Sequence, residues 1–213
     1  MSKRNDFIEF EKARSVIFNI YSALFCQPDK AVIGDVNIFK RLEQASQFCY
    51  PNSSNQVKEL KSAADSFSDT ELLIEYARLF IGPFKTFAPP YSSVYLGSKN
   101  TVYSEETIWV MQFYKKTGLD FDRDIHDLPD HIAVEFEFIY YMIYNEVSQF
   151  EENNIEKAKF YHTSQSEFAN EHLRKWVPLF CAKIIEETKN GYYQFLAESL
   201  HSLIEVDMAP EFP

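Results

Sequence analysis

The stretch Asp127–Tyr144, DLPDHIAVEFEFIYYMIY, decides the fold. Past its first residues it is apolar almost all round a helix. Ile132, Phe136, Ile139 and Ile143 form one face, and Val134, Phe138, Tyr141 and Met142 cover much of the rest. A helix with no polar face sits at the centre of a bundle. Only its start is polar. Asp127 is placed to cap the helix, Pro129 suits the first turn, and Asp130 complements the helix dipole. His131 and Glu135 stand four residues apart and so share a face. A glutamate on a central helix is costly unless it is paired or meets a wet cleft. A metal or catalytic centre, a helix cap and a binding lip all fit these residue types.

Helical spacing continues in both directions. Phe7, Phe10, Ala13, Ile17, Ile20, Tyr21 and Leu24 predict a first amphipathic helix over 6–26. Further helices are predicted over 36–48 and 56–66. In SDTELLIEYARLFIG, Ser68 or Asp69 caps, Glu71 favours the first turn, and Gly82–Pro83 stops the helix. Ser104 caps the next helix, which Gly118 ends. After the central helix, the pattern predicts a break near Thr163–Ser164, a start or kink at Pro178, a stop at Gly191 and a last helix over 192–206. Residues 207–213 read as a frayed tail. No pair of strands with a hairpin turn and no internal repeat stands out. The expectation is an all-α fold: a single-domain bundle of about ten helices over 1–213.

Composition bounds the rest. The 213 residues suffice for one sizeable core. Five glycines in the whole chain argue against a loop-rich β fold and against glycine-rich phosphate cradles. The formal net charge of -11 disfavours nucleic acid and anionic membrane and favours cationic partners. Cys26, Cys49 and Cys181 are far apart in apolar surroundings, which reads as reduced thiols in a cytosolic protein. The N-terminal MSKRNDFIEFEKARS lacks the pattern of a signal peptide, and no run reaches the length of a membrane span.

Two segments could carry function. The first is the start of the central helix. A metal there would draw on His126, Asp130, His131 and Glu135, but His162, His172 and His201 are isolated and no H-E-x-x-H motif occurs. No G-x-S-x-G elbow, P-loop or cysteine–histidine nucleophile is evident. The second is the irregular, proline-rich loop at about 82–100, GPFKTFAPPYSSVYLGSKN, with Phe84, Phe87, Tyr91 and Tyr95. A connection of that length in a helical domain is often functional. It reads either as a rigid connector or as a preordered aromatic surface for an extended peptide. HLRKWVPLF, around Trp176, reads as packing.

Taken together, three segments resemble a known family. Tyr76–Gly97, YARLFIGPFKTFAPPYSSVYLG, is similar to Y-x-R-L-F-x-G-P followed by P-P and S-x-Y. Phe113–Met142 is similar to F-Y, G-L, then P-D-H-x-x-x-E-x-x-F, and HLRKWVPLF is similar to H-L-x-x-W-x-P-x-F. These are the marks of the TorD/DmsD/NarJ family of cytoplasmic maturation chaperones for molybdenum-containing oxidoreductases, nearest in motif to the TorD/DmsD branch. The resemblance implies an all-α, non-catalytic protein with no cofactor or metal of its own. Its implied partners are an apo molybdoenzyme catalytic subunit and that subunit's twin-arginine signal peptide. Family practice implies holding back export until the molybdopterin cofactor is inserted. It also allows a client-body chaperone of the nitrate-reductase type, independent of the signal peptide.

Carried over by motif as client-binding residues are Pro89, Pro90, Ser93 and Tyr95 from the loop and Asp130, His131 and Glu135 from the helix start. Phe87 and Tyr91 join them as apolar cover. On this reading Asp130 and Glu135 meet guanidinium groups. Ser92 stands where many relatives carry glutamate, and Asp127–Leu128 where a glutamate–proline pair is common. A helical metal-dependent enzyme at Asp130, His131 and Glu135 is the contrasting reading. A monomer or a swapped dimer both fit the sequence.

Overall fold

The computed structural model describes residues 3–51, 54–82, 85–97, 102–119, 127–207 and 209–213. In chain order its helices are α1 (Lys3–Leu24), α2 (Lys30–Ile33), α3 (Val36–Cys49), α4 (Ser54–Ala64), α5 (Asp69–Tyr76), α6 (Ser92–Leu96) and α7 (Glu105–Lys116). They continue as α8 (Ile132–Glu151), α9 (Ile155–Phe168), α10 (Arg174–Glu187) and α11 (Gly191–Val206). A π-helical turn, Ala77–Ile81, follows α5, and a second, Ala169–Leu173, joins α9 to α10. The fold is all-α, as the periodicity predicts.

The opening stretch becomes α8, the axis of the bundle. α1 lies along one side of it and α9 along another, α3 backs α1, and α11 packs between α10 and α4. Ile132, Phe136, Ile139, Met142 and Ile143 are fully enclosed, while Glu137 and Tyr144 reach solvent. The core is aromatic. Phe136 meets the rings of Phe18, Tyr21 and Phe25 edge-on at 5.6, 6.4 and 6.4 Å, the arrangement that ring quadrupoles favour.

Local signals set several helix ends. Ser68 and Glu71 form a reciprocal capping box on α5, and Ser104 and Thr107 do so on α7. Gly82 leaves the first π turn at φ +50°, and a Cβ there would lie 2.3 Å from the Lys85 carbonyl oxygen. Only glycine fits that exit. Pro83 and Phe84, assigned above to the stop and to the aromatic loop, lie outside the described residues.

Four expectations are corrected. α8 starts at Ile132, and its cap is His131 rather than Asp127: the His131 Nδ1 accepts the Ala133 N–H at 3.2 Å. The cause is a β-bridge between His131 and Tyr91, which keeps this backbone extended. α9 runs unbroken through Thr163–Ser164, and the irregularity falls instead at the second π turn. Gly191 opens α11, behind the Asn190 cap, instead of ending α10. Residues 207–213 are not frayed where described. Asp207 is buried against Arg14, and Phe212 packs on Phe7, Phe150 and His162 at 5.6, 5.4 and 5.2 Å. The proline loop, too, is more ordered than its composition suggests, because 92–96 turn into α6 and Ala88, Ser92 and Ser93 enter the interior.

Candidate functional site

Loop and helix start come together as a clasp. Residues 90–92 run antiparallel to 130–132: the Ser92 N–H donates to the Asp130 carbonyl at 3.0 Å and the Ile132 N–H to the Pro90 carbonyl at 2.9 Å. Proline suits this role, since Pro90 needs only to accept. The Asp130 carboxylate then accepts the Ser93 N–H at 3.0 Å, fixing the first turn of α6. From α7, the Tyr114 hydroxyl donates to the Pro129 carbonyl at 2.9 Å.

His131 and Glu135 share a face but do different work. The His131 ring meets Tyr91 edge-on at 5.1 Å. Its Nδ1 accepts an amide N–H, so the cap requires that nitrogen unprotonated. Burial lowers its pKa, against the raising influence of Asp127 and Asp130. Glu135 is enclosed. One carboxylate oxygen lies 2.7 Å from the His172 Nε2, and the other accepts the Trp176 indole N–H at 2.9 Å. Burial raises the Glu135 pKa; His172 and Trp176 oppose that rise. Trp176 therefore does more than pack, and Tyr95 lies over it with ring centres 5.7 Å apart. On its other side, His172 stacks on Trp109 at 5.0 Å.

The predicted site residues thus assemble, but mostly inward. Asp130, Glu135, Ser93 and Pro90 are buried, and Tyr95 is turned toward α10. They hold the clasp rather than face solvent. Phe87, Pro89 and Tyr91 are half-buried at its edge. Phe87 already has Arg78 and Lys85 against its ring, at 4.8 and 5.1 Å. The exposed carboxylates are Asp127 and Glu137, which the sequence reading did not select. Asp127 lies 3.4 Å from the Tyr91 hydroxyl. Together with burial, the two carboxylates push the pKa of the neighbouring Cys26 thiol upward. A distinguishing signal existed in the sequence: Asp127 and Glu137 flank the apolar stretch, whereas Asp130 and Glu135 sit inside its buried spacing.

Arg78, the arginine of Y-x-R-L-F, anchors the start of the loop. It pairs with both Glu75 oxygens at 2.8 Å and donates to the Glu187 carbonyl. Glu75 also accepts the Lys189 N–H at 2.6 Å and the Thr188 hydroxyl at 3.0 Å. The motif thereby ties α5 to the α10–α11 turn.

A metal reading finds little support in this chemistry. Both Glu135 oxygens are engaged, and the His131 Nδ1 is a cap. Among the described residues no group of three His, Cys, Asp or Glu side chains could hold a metal ion. His126, the fourth ligand considered, lies outside the described residues.

The family described as "Nitrate reductase delta subunit" matches residues 50–182, a span that contains all three motifs and the whole clasp. The chain belongs to that family. It is 26% identical over 164 residues to the chaperone protein TorD of Vibrio parahaemolyticus, covering 71% of this chain and 75% of that one. TorD of Aliivibrio salmonicida is 24% identical over 213 residues, covering 96% and 97%. A crystal structure of a redox enzyme maturation protein from Archaeoglobus fulgidus shares the fold. Its TM-score is 0.56 at 22% identity, over 90% of this chain and 93% of that one. With its family and relatives, the chain is a maturation chaperone of the TorD/NarJ kind and not an enzyme.

Proposed function

We propose that this chaperone acts in the cytoplasm on the apo form of a molybdopterin-containing oxidoreductase. It grips that client's twin-arginine signal peptide at the rim of the clasp and delays export until the cofactor is in place. One observation carries the site: an exposed carboxylate, Asp127, stands beside the half-buried Tyr91 at the edge of a two-segment extended ladder. Asp127 and Glu137 offer charge to guanidinium groups, and Pro89 and Tyr91 offer apolar cover. Asp130, His131, Glu135, Ser93, Pro90 and Tyr95 contribute by setting the shape of the rim. The net charge of -11 speeds encounter with a basic segment. No helix among the described residues is long and apolar enough to cross a membrane.

The clasp is also costly to keep closed. The Ser92 and Ser93 hydroxyls, the Tyr95 hydroxyl and one Asp130 oxygen are buried without a partner among the described residues. Unpaired buried polar atoms favour any state that satisfies them. An extended peptide, rich in backbone donors and acceptors, is such a partner.

Calorimetric titration with a twin-arginine peptide tests the site. Asp127→Asn is expected to weaken binding roughly fivefold, the scale of one exposed ion pair. Wild-type affinity is expected to fall as salt rises. Equal affinity for wild type, Asp127→Asn and Tyr91→Ala would remove the rim from consideration. The family description favours one other reading, a client-body chaperone indifferent to the signal peptide. Capture of a client lacking its signal segment, as efficient as that of the full client, would select it.

A further inference from the structure

A second buried polar cluster lies outside the clasp, where the C-terminal segment meets α1, α8 and α9. At its centre is Arg14, fully enclosed. Its Nε and one Nη donate to the two Asp207 oxygens at 2.6 and 3.2 Å. The other Nη donates to Glu11 at 3.0 Å and to the Gln165 amide oxygen. The Gln165 amide N–H₂ donates onward to Glu146, whose second oxygen lies 2.7 Å from the His162 Nδ1. Asp207 also accepts the Tyr50 hydroxyl, and Arg174 donates to its carbonyl. The Cys49 thiol completes the surroundings, with its pKa pushed up to about 12 by burial.

The charges do not balance unless protons are retained. Glu11, Glu146 and Asp207 would bring three negative charges against Arg14. One proton shared by Glu146 and His162 neutralises that pair, whichever member holds it. Arg14 and Asp207 neutralise each other. Glu11 is left over, buried, with one oxygen that has no partner among the described residues. A buried carboxylate in that position is stable only when protonated. Its loss of a proton places two carboxylates, Glu11 and Asp207, on one guanidinium. Asp207 is the residue that begins the packed tail, whose Phe212 covers Phe7, Phe150 and His162.

We infer that this cluster is a proton-set latch on the C-terminal segment: Glu11 holds its proton while the segment is docked, and ionisation of Glu11 frees Asp207 and lifts Phe212 off the α1–α8–α9 surface. The pKa of Glu11 is raised from 4.5 to about 7, chiefly by burial and against the pull of Arg14. The sign follows. A carboxyl with a raised pKa in the docked state binds its proton there preferentially, so docking is strongest at low pH. It weakens as pH climbs from the solvated carboxyl value through about 7 and is level above that. Release would bare an aromatic surface remote from the clasp, built from residues outside the family-matching span except Phe150 and His162. The inference is independent of which client is bound.

The test places 4-fluorophenylalanine at position 212 of the full chain and follows its ¹⁹F resonance between about pH 5 and about pH 8, a window that spans the titration. At low pH one ring-shifted, docked line is expected. With rising pH a solvent-like line grows, its ratio to the docked line increasing by up to tenfold per pH unit before levelling. In Glu11→Gln the docked line persists throughout, because the amide has the shape of the protonated acid and no charge. In Asp207→Asn the solvent-like line is present at every pH. A wild-type spectrum unchanged across the range overturns the inference without need of any variant, and so does an undiminished pH response in Glu11→Gln.

Discussion

The molecule contains two buried polar clusters, and they are built on opposite plans. The clasp joins residues 89–95 to 127–135 and reaches out only to His172 and Trp176. The Arg14 cluster draws on α1, the end of α3, α8, α9, α10 and the tail, and its Arg14–Asp207 pair spans 193 positions. The clasp is mostly backbone hydrogen bonding, anchored by single carboxylates. The Arg14 cluster is an ionic network with almost no backbone in it. The first kind leaves short, ordered motifs in the sequence. The second kind leaves single charged residues scattered among apolar ones, and each looks like surface until the chain is folded.

The largest effect that would test this contrast comes from Arg14→Ala. It strands Glu11, Asp207 and Glu146 without their cation, at an expected cost of about 3–5 kcal/mol in urea unfolding. A cost below about 1 kcal/mol would show that water already reaches the cluster. Next comes Glu135→Ala, which leaves the His172 and Trp176 donors buried and unpaired. About 2–4 kcal/mol is expected, with loss of the near-ultraviolet signal of Trp176. If Glu135→Ala proved more damaging than Arg14→Ala, the clasp rather than the ionic network would dominate stability. The smallest effect serves as the reference for both. Lys116→Ala breaks an ion pair to Glu167 at 2.9 Å, but the two side chains are 55% and 42% exposed. A change within about 0.5 kcal/mol is expected.

The same contrast explains what was legible beforehand. Helix spans, the Ser68 and Ser104 caps and the central place of 132–151 follow from spacing and local chemistry, which the sequence displays directly. The Asp127 cap was misread because a partner 40 residues upstream, Tyr91, holds the backbone extended up to His131. Local propensity carries no sign of that. Thr163–Ser164 looked like a break because both residues are polar. Ser164 is buried there against neighbouring helices, so tertiary packing overrides the pattern. The tail looked frayed because 207–213 lack periodicity; its order comes from Arg14 and from the aromatic surface that receives Phe212. The site residues were found as a group, while their direction was not. Whether a carboxylate faces out or in depends on rotation about α8, and that is set by Trp176 and His172 from another helix.

The second π turn has a consequence for how the chain tolerates change in length. A π turn carries one more residue than the α turn it replaces. Removing any one residue from Ala169–Leu173 would let the segment relax into ordinary α-helix. Everything after it would then rotate by about 100° around the axis. Trp176 would swing away from Glu135, and Phe180 away from Phe25 and Phe80. A single deletion here would act as a frame error in three dimensions: every downstream residue would keep its identity and lose its address.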